Sequence, residues 1–168
     1  MAIIDAHKLA APQQLLLDSA VWIAATTSTA GVVAPELLLI LEQAAHEGRL
    51  YVSTATVWEL ALLAQRGAIN FGDFPMWLAD QTRPPGVTLI PITGELAYES
   101  TTLPNWTVQT GAATRSHRPA VGSVLSSEAV DRFLVSTALR TGSIVVTTDP
   151  AMLEYAASGP LNAYDARP

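Results

Sequence analysis

Four acidic residues sit where they could share one task. Asp18 directly follows the apolar run Leu15-Leu16-Leu17, and Asp149 comes three residues after Ile144-Val145-Val146. Glu59 lies inside Val57-Trp58-Glu59-Leu60-Ala61-Leu62-Leu63. Asp131 falls in the first turn or so of a helix expected over Glu128–Thr141, with Glu128 three residues earlier on the same face. If these carboxylates meet, they repel one another and need a positive neighbour. The sequence offers one lysine, Lys8, and few arginines. Oxygen ligands without cysteine or histidine suit a hard cation, Mg²⁺ or Mn²⁺. Such an ion keeps several waters, binds substrate phosphate, lowers the pKa of a bound water and stabilises an in-line displacement.

Each acid also has a plain structural reading. Asp18 can cap the helical turn after it. Asp149, before Pro150, suits a turn or a helix cap. Glu128 and Asp131 suit the positive end of their helix. Glu59 is harder to place this way, because its helix is apolar nearly all round. An unpaired ionised carboxylate there costs several kcal/mol. Either Arg66 or another partner satisfies it, or it faces a polar cleft.

The elements that must position these residues follow from runs and breakers. Short, wholly apolar strands are expected at Leu15–Leu17, Leu50–Ser53, Val87–Ile90 and Ile144–Val146, with an edge strand at Leu161–Tyr164. Between them, helical stretches are expected over 21–25, 35–47, 55–66, 73–81 and 93–103, then 128–141 and 151–156. Pro35, Ser53 or Thr54, Thr93 and Ser127 suit helix starts, and Gly48, Gly67 and Gly142 suit helix ends. Strands alternating with helices argue for an α/β fold with a parallel sheet of four to five short strands covered on both faces. Ligands then bind beyond the carboxyl ends of the strands, which is where Asp18 and Asp149 fall. Residues 1–13 read as a leader of weak structure, and residues 14–168 as a single domain. The stretch 104–126, rich in Gly, Pro, Ser and Thr without a period, reads as a loop insertion. Trp22, Trp58 and Trp77 are expected in the core, Trp58 on the helix side opposite Glu59. Leu37–Leu41 reads either as core or as a docking surface for a partner.

Composition narrows the function classes. The 168 residues are 49% hydrophobic and 14% charged, which excludes disorder over most of the length. With no cysteine, disulfides, a thiol nucleophile and a thiolate zinc site are excluded. His7, His46 and His117 have no ligand-like spacing. The net charge of -6 disfavours nucleic acid by simple electrostatics, unless bound metal supplies the positive charge. No apolar run, Leu37–Leu41 included, approaches the roughly 20 residues of a membrane span. No secretory signal is visible, so the expected compartment is the cytoplasm. A mean hydropathy of +0.29 is high for a soluble monomer and hints at surface covered by a partner or a second copy.

Several segments, in order, resemble the PIN-domain ribonucleases, in particular the VapC-type toxins of bacterial toxin–antitoxin pairs. They are Leu15-Leu16-Leu17-Asp18-Ser19-Ala20-Val21-Trp22, then Val52-Ser53 through Val57-Trp58-Glu59-Leu60-Ala61. Asp131-Arg132-Phe133-Leu134 with Ala138 follows, then Val145-Val146-Thr147-Thr148-Asp149-Pro150. The resemblance runs from Leu15 to Tyr164. It implies a three-layer α/β/α sandwich and an Mg²⁺- or Mn²⁺-dependent endoribonuclease. It further implies a homodimer and a cognate antitoxin that places a basic side chain in the acidic pocket. Asp18, Glu59 and Asp131 would hold the metal, with Asp149 completing the pocket. Thr148 would orient a carboxylate or a metal-bound water, and Ser19 would hydrogen-bond Asp18 or substrate.

The family often carries His-x-Asp-Pro-x-Asp-Arg before its last long helix. Here the stretch is Ser127-Glu128-Ala129-Val130-Asp131-Arg132, with Glu128 as its first acid. Arg115, His117 and Arg118 of the insertion, with Arg132, are the candidate RNA contacts. Two rival readings exist. One is a catalytically silent PIN-like module that binds RNA or protein. The other is a phosphoacceptor receiver domain, which needs a paired acid at the first strand and a lysine near the last; Lys8 lies before the first strand.

Overall fold

The computed structural model describes residues 4, 9, 12–27, 31–104 and 124–168, with side chains from residue 129 onward in the last segment. In chain order the elements are β1 (Leu15–Leu17), α1 (Ser19–Thr27), α2 (Pro35–His46), β2 (Leu50–Ser53), α3 (Thr54–Gln65) and α4 (Phe74–Thr82). There follow β3 (Thr88–Ile90), α5 (Gly94–Thr102), α6 (Val124–Thr141), β4 (Ile144–Thr147), α7 (Pro150–Ser158) and β5 (Ala163–Asp165). The strands form one five-stranded sheet in the order β3-β2-β1-β4-β5, and every pairing is parallel.

The apolar strands divide their side chains between two cores, as the two-residue period of a strand requires. Leu15 and Leu17 of β1 join Val52, Ile144 and Val146 under α1 and α2. Leu16 and Val145 point the other way, into Leu134, Val135 and Ala138 of α6 and Met152, Leu153 and Ala156 of α7. A run with no polar residue is thus what a strand covered on both faces needs. The result is the three-layer α/β/α sandwich.

Local signals set the helix ends. The Ser53 hydroxyl accepts from Ala55 N at 3.2 Å, Asp73 from Met76 N at 2.9 Å and Thr93 from Leu96 N at 3.2 Å. Each satisfies an amide that the first turn leaves without a helical acceptor. Gly48 and Gly142, each after a helix end, adopt φ of +67° and +69°, a left-handed conformation costly to any residue with a Cβ. α6 begins at Val124, so Ser127 lies inside the helix rather than capping it.

Three further placements differ from, or sharpen, the sequence reading. Trp58 is not in the core: it is 51% exposed, whereas Trp22 is buried. On α2, Leu37 and Leu41 are core while Leu39 is exposed, so the run divides between both alternatives. In the N-terminal segment, Leu9 is fully buried in the α1 and α2 core, and Ile4 N donates to Ala163 O at 2.9 Å beside β5. No helix among the described residues is long and apolar enough to cross a membrane.

The strand order fixes where a site can form. After β1 the chain builds β2 and β3 to one side, and later returns to place β4 on the other. Helices leaving β1 and β4 therefore diverge, and a crevice opens beyond the carboxyl ends of those two strands.

Candidate acidic site

Asp18 is the first residue beyond β1 and sits at that crevice. Its amide donates to Val146 O at 3.1 Å, which continues the β1–β4 ladder by one step. Leu17 pairs with Val146, so the next residues, Asp18 and Thr147, lie level across the two strands. The Thr147 hydroxyl donates to Asp18 Oδ2 at 2.7 Å, and the Ser19 hydroxyl donates to Asp18 Oδ1 at 3.1 Å. Thr147 Oγ1 in turn accepts from the Asp149 amide at 2.9 Å. Asp149 Oδ1 accepts from Ala151 N at 2.6 Å and Met152 N at 3.2 Å, capping α7. One relay of hydrogen bonds thus joins the start of α7, the end of β4 and the carboxylate after β1. The capping reading of Asp149 holds. Asp18 does not cap α1 with its side chain, and only its carbonyl oxygen serves that helix, accepting from Trp22 N at 2.9 Å.

Charge makes this corner costly. Asp18 is buried, and burial pushes its carboxyl above the ordinary aspartate value, with the Asp149 charge adding to the rise. The Thr147 and Ser19 hydroxyls oppose the rise by bonding the ionised form. Glu59, half-buried in the second turn of α3, is also raised, first by burial and further by the charge of Asp18. The nearby Ser19 hydroxyl opposes that rise. Ser19 therefore stands beside both carboxyls, and it, rather than Arg66, is the polar neighbour of Glu59.

The remaining expected residues are placed as follows. Asp131 lies half-buried on α6. The side chain of Glu128 and all of Arg115, His117 and Arg118 lie outside the described residues. Arg132 is occupied by the end of α5: its guanidinium donates to Ser100 O at 2.9 Å and Leu103 O at 2.6 Å. Those carbonyls belong to the last turn and C-cap of a helix, where a cation is favoured. The hydroxyl seated on Asp18 belongs to Thr147, one residue before the Thr148 expected from the sequence. Thr147 was legible only as the polar end of an apolar strand, since its partnership depends on strand register.

The donor type, though not the spacing, suits a hard divalent cation. It is oxygen only, and two carboxyls are held unfavourably by burial and mutual repulsion. Among the described residues neither Asp18 nor Glu59 forms an ion pair. Also among the described residues, no three acidic or histidine side chains stand close enough together to hold one ion.

Residues 15–158 match the PIN domain family. No curated protein matches the chain. Among solved structures, the fold is similar to VapBC2 from Rickettsia felis, a complex bound to a DNA fragment from their promoter. There the TM-score is 0.54 at 14% identity, over 90% of this chain and 98% of the other. It is also similar to FitAcB from Neisseria gonorrhoeae, with a TM-score of 0.55 at 18% identity, over 91% of this chain and 98% of the other.

Proposed function

We propose, from the premise that this chain belongs to the PIN domain family, a family of nucleases, that it is a divalent-metal-dependent endoribonuclease. The observation that carries this reading is Asp18: a buried carboxylate at the β1–β4 crevice, gripped by two hydroxyls, with Glu59 and Asp149 close enough to raise or be raised by charge. Structural ion pairs explain many buried acids, but Asp18 has no cation beside it among the described residues. A buried acid shifted by desolvation and a neighbouring charge is a common mark of function.

In this reading Asp18, Glu59 and Asp131 hold Mg²⁺ or Mn²⁺, and Asp149 completes the negative pocket. Such an ion, when bound, supplies Lewis acidity toward a phosphate oxygen and a water of lowered pKa. The protein's own part is positioning. Thr147 and Ser19 hold the Asp18 carboxylate in one orientation. Their hydrogen bonds also oppose the upward shift that burial imposes on it. Ser19 likewise moderates the raised value of Glu59. The relay from the Asp149 amide fixes Thr147 in turn, so orientation is inherited from the backbone of α7.

RNA is the proposed substrate. The proposed biological setting is the toxin of a toxin–antitoxin pair, with a cognate antitoxin and a homodimer as partners. Exposed Leu38 and Leu39 on α2 are a candidate part of such a contact. The test is cleavage of a labelled RNA in Mn²⁺ by the wild type and by Asp18→Asn. Cleavage by the wild type alone supports the proposal, and equal cleavage by both overturns it.

A silent RNA- or protein-binding module is the second reading. Its supporting observation is that no three described acids stand close enough together to hold one ion. RNA binding without cleavage by the wild type in Mn²⁺ selects it.

A further inference from the structure

β4 serves its two neighbours by turns. Along a parallel strand, successive residues direct their main-chain N–H and C=O groups to opposite edges. Val146 O accepts from Asp18 N at 3.1 Å, on the β1 side. Thr147 O accepts from Ala166 N at 2.9 Å, on the β5 side. Thr147 pairs in register with Asp165, and Ala166 is the first residue past β5. The residue whose hydroxyl sits on Asp18 Oδ2 is therefore tied by its own carbonyl to the far strand.

Ala166 is itself firmly placed. Its carbonyl oxygen accepts from Ala34 N at 3.1 Å, just before α2. Its methyl group is fully buried in the core under α1 and α2. Asp165 Oδ1 accepts from Arg167 N at 3.1 Å, which closes a side-chain turn around Ala166. Ala166 also lies beyond residues 15–158, the span of the family match.

The consequence falls on Thr147. A threonine hydroxyl has a choice of staggered positions. It meets one carboxylate oxygen at 2.7 Å only if the backbone that carries it is held. The Asp149 amide holds the hydroxyl itself at 2.9 Å. Ala166 holds the main chain of the same residue, at the point where β4 ends and the chain leaves the sheet.

We propose that Ala166 is a positioning residue of the acidic site: its main-chain N–H, acting through Thr147, sets the orientation of the Asp18 carboxylate. For its effect on cleavage the inference rests on the nuclease reading, and it extends the site to a residue with no side-chain chemistry of its own.

The first test is amide hydrogen exchange of the wild type in EDTA. The Ala166 and Asp18 amides are expected to open together, with protection factors within about threefold of each other. An Ala166 amide about a hundredfold less protected than that of Asp18 overturns the proposal, because Asp18 then stays in place while Ala166 is detached.

The second test is single-turnover RNA cleavage at saturating Mn²⁺. Ala166→Pro lacks the N–H, whereas Ala166→Gly keeps it and loses the buried methyl. Ala166→Pro is expected to lower the rate about tenfold or more, since small displacements near reacting groups are costly. Ala166→Gly retains most of the wild-type rate although it is less stable. In a Thr147→Val background, Ala166→Pro lowers the rate by less than about twofold further, because the hydroxyl it positions is gone. A merely structural role would lower the rate alike in both backgrounds. Equal rates for wild type and Ala166→Pro, equal losses in the proline and glycine variants, or equal losses in both backgrounds overturn the proposal. If Ala166→Pro does not fold, the exchange comparison decides.

The two readings fail separately. Absence of RNA cleavage by the wild type removes the nuclease, and the exchange comparison then decides the positioning role alone. Cleavage indifferent to loss of the Ala166 N–H removes that role and keeps the nuclease.

Discussion

The acids carried by the sheet and the acid carried by α3 are held in different ways. Asp18 and Asp149 follow strands, and each is tied to backbone or to a hydroxyl fixed by backbone. Glu59 projects from a helix, half-buried, with the short Ser19 side chain as its neighbour. Parallel strands locked in register leave no freedom at their carboxyl ends. A glutamate on a helix keeps its side-chain torsions. The sheet thus presets one carboxylate, and the helix supplies one that can adjust to whatever binds.

The largest test of this contrast is Asp18→Asn against Glu59→Gln. If the proposed nuclease reading holds, loss of the preset carboxylate is expected to lower single-turnover RNA cleavage by about a thousandfold, several kcal/mol of barrier. Glu59→Gln is expected to act mainly on metal dependence, shifting the Mn²⁺ midpoint more than the rate at saturation. Equal losses at saturating Mn²⁺ would erase the distinction.

Thr147→Val is next. The shape is kept but Oδ2 of Asp18 and the Asp149 amide lose their partner, a cost of about 1–3 kcal/mol read by urea unfolding. Unchanged stability means the relay is replaced by water.

The third test is pH. Asp18 and Glu59 both have values raised in the folded state, so the native protein binds their protons more tightly than the unfolded chain does. Their stabilising contribution is complete below the ordinary carboxyl range and is lost as pH rises through the raised values. In EDTA, Asp18→Asn should therefore melt higher than wild type near about pH 7, with the gap closing as the pH falls toward 4. About 3 °C accompanies each kcal/mol in a chain of this length. Mn²⁺ should raise the melting temperature of wild type and not of the variant, since binding to the native state stabilises it. A gap independent of pH would show that burial does not disfavour the Asp18 charge.

The smallest effect separates two roles of Asp149. Asp149→Asn keeps a good cap and removes the charge that raises Asp18, so stability holds within a few tenths of a kcal/mol while the pH dependence becomes shallower. Asp149→Ala loses the cap as well and costs about 1 kcal/mol. Matching results from the two variants would leave the cap without measurable weight.

Much of the architecture was legible from local signals. Leu15-Leu16-Leu17 and Ile144-Val145-Val146 announce strands covered on both faces, because only there is an unbroken apolar run stable. Ser53, Thr93 and Asp149 announce caps, because each meets an amide within three residues of itself. Trp58 misled because α3 is apolar all round, so its sequence shows no preferred face. Its exposure depends on how α6 packs along α3. Arg132 is a candidate RNA contact by sequence, and nothing local reveals that the end of α5, about thirty residues away in sequence, presents carbonyls to it.

The sequence by itself determined the strands, most helix boundaries and the presence of acids after β1 and β4, because these depend on neighbours within a few positions. Only the tertiary structure decided that Thr147 rather than Thr148 grips Asp18, that Ser19 stands beside Glu59 as well as Asp18, and that Trp58 faces outward. Each of those depends on the register of β1 against β4 or on the packing of one helix against another. Such facts arise from the simultaneous burial of distant segments, which no local pattern of residues encodes.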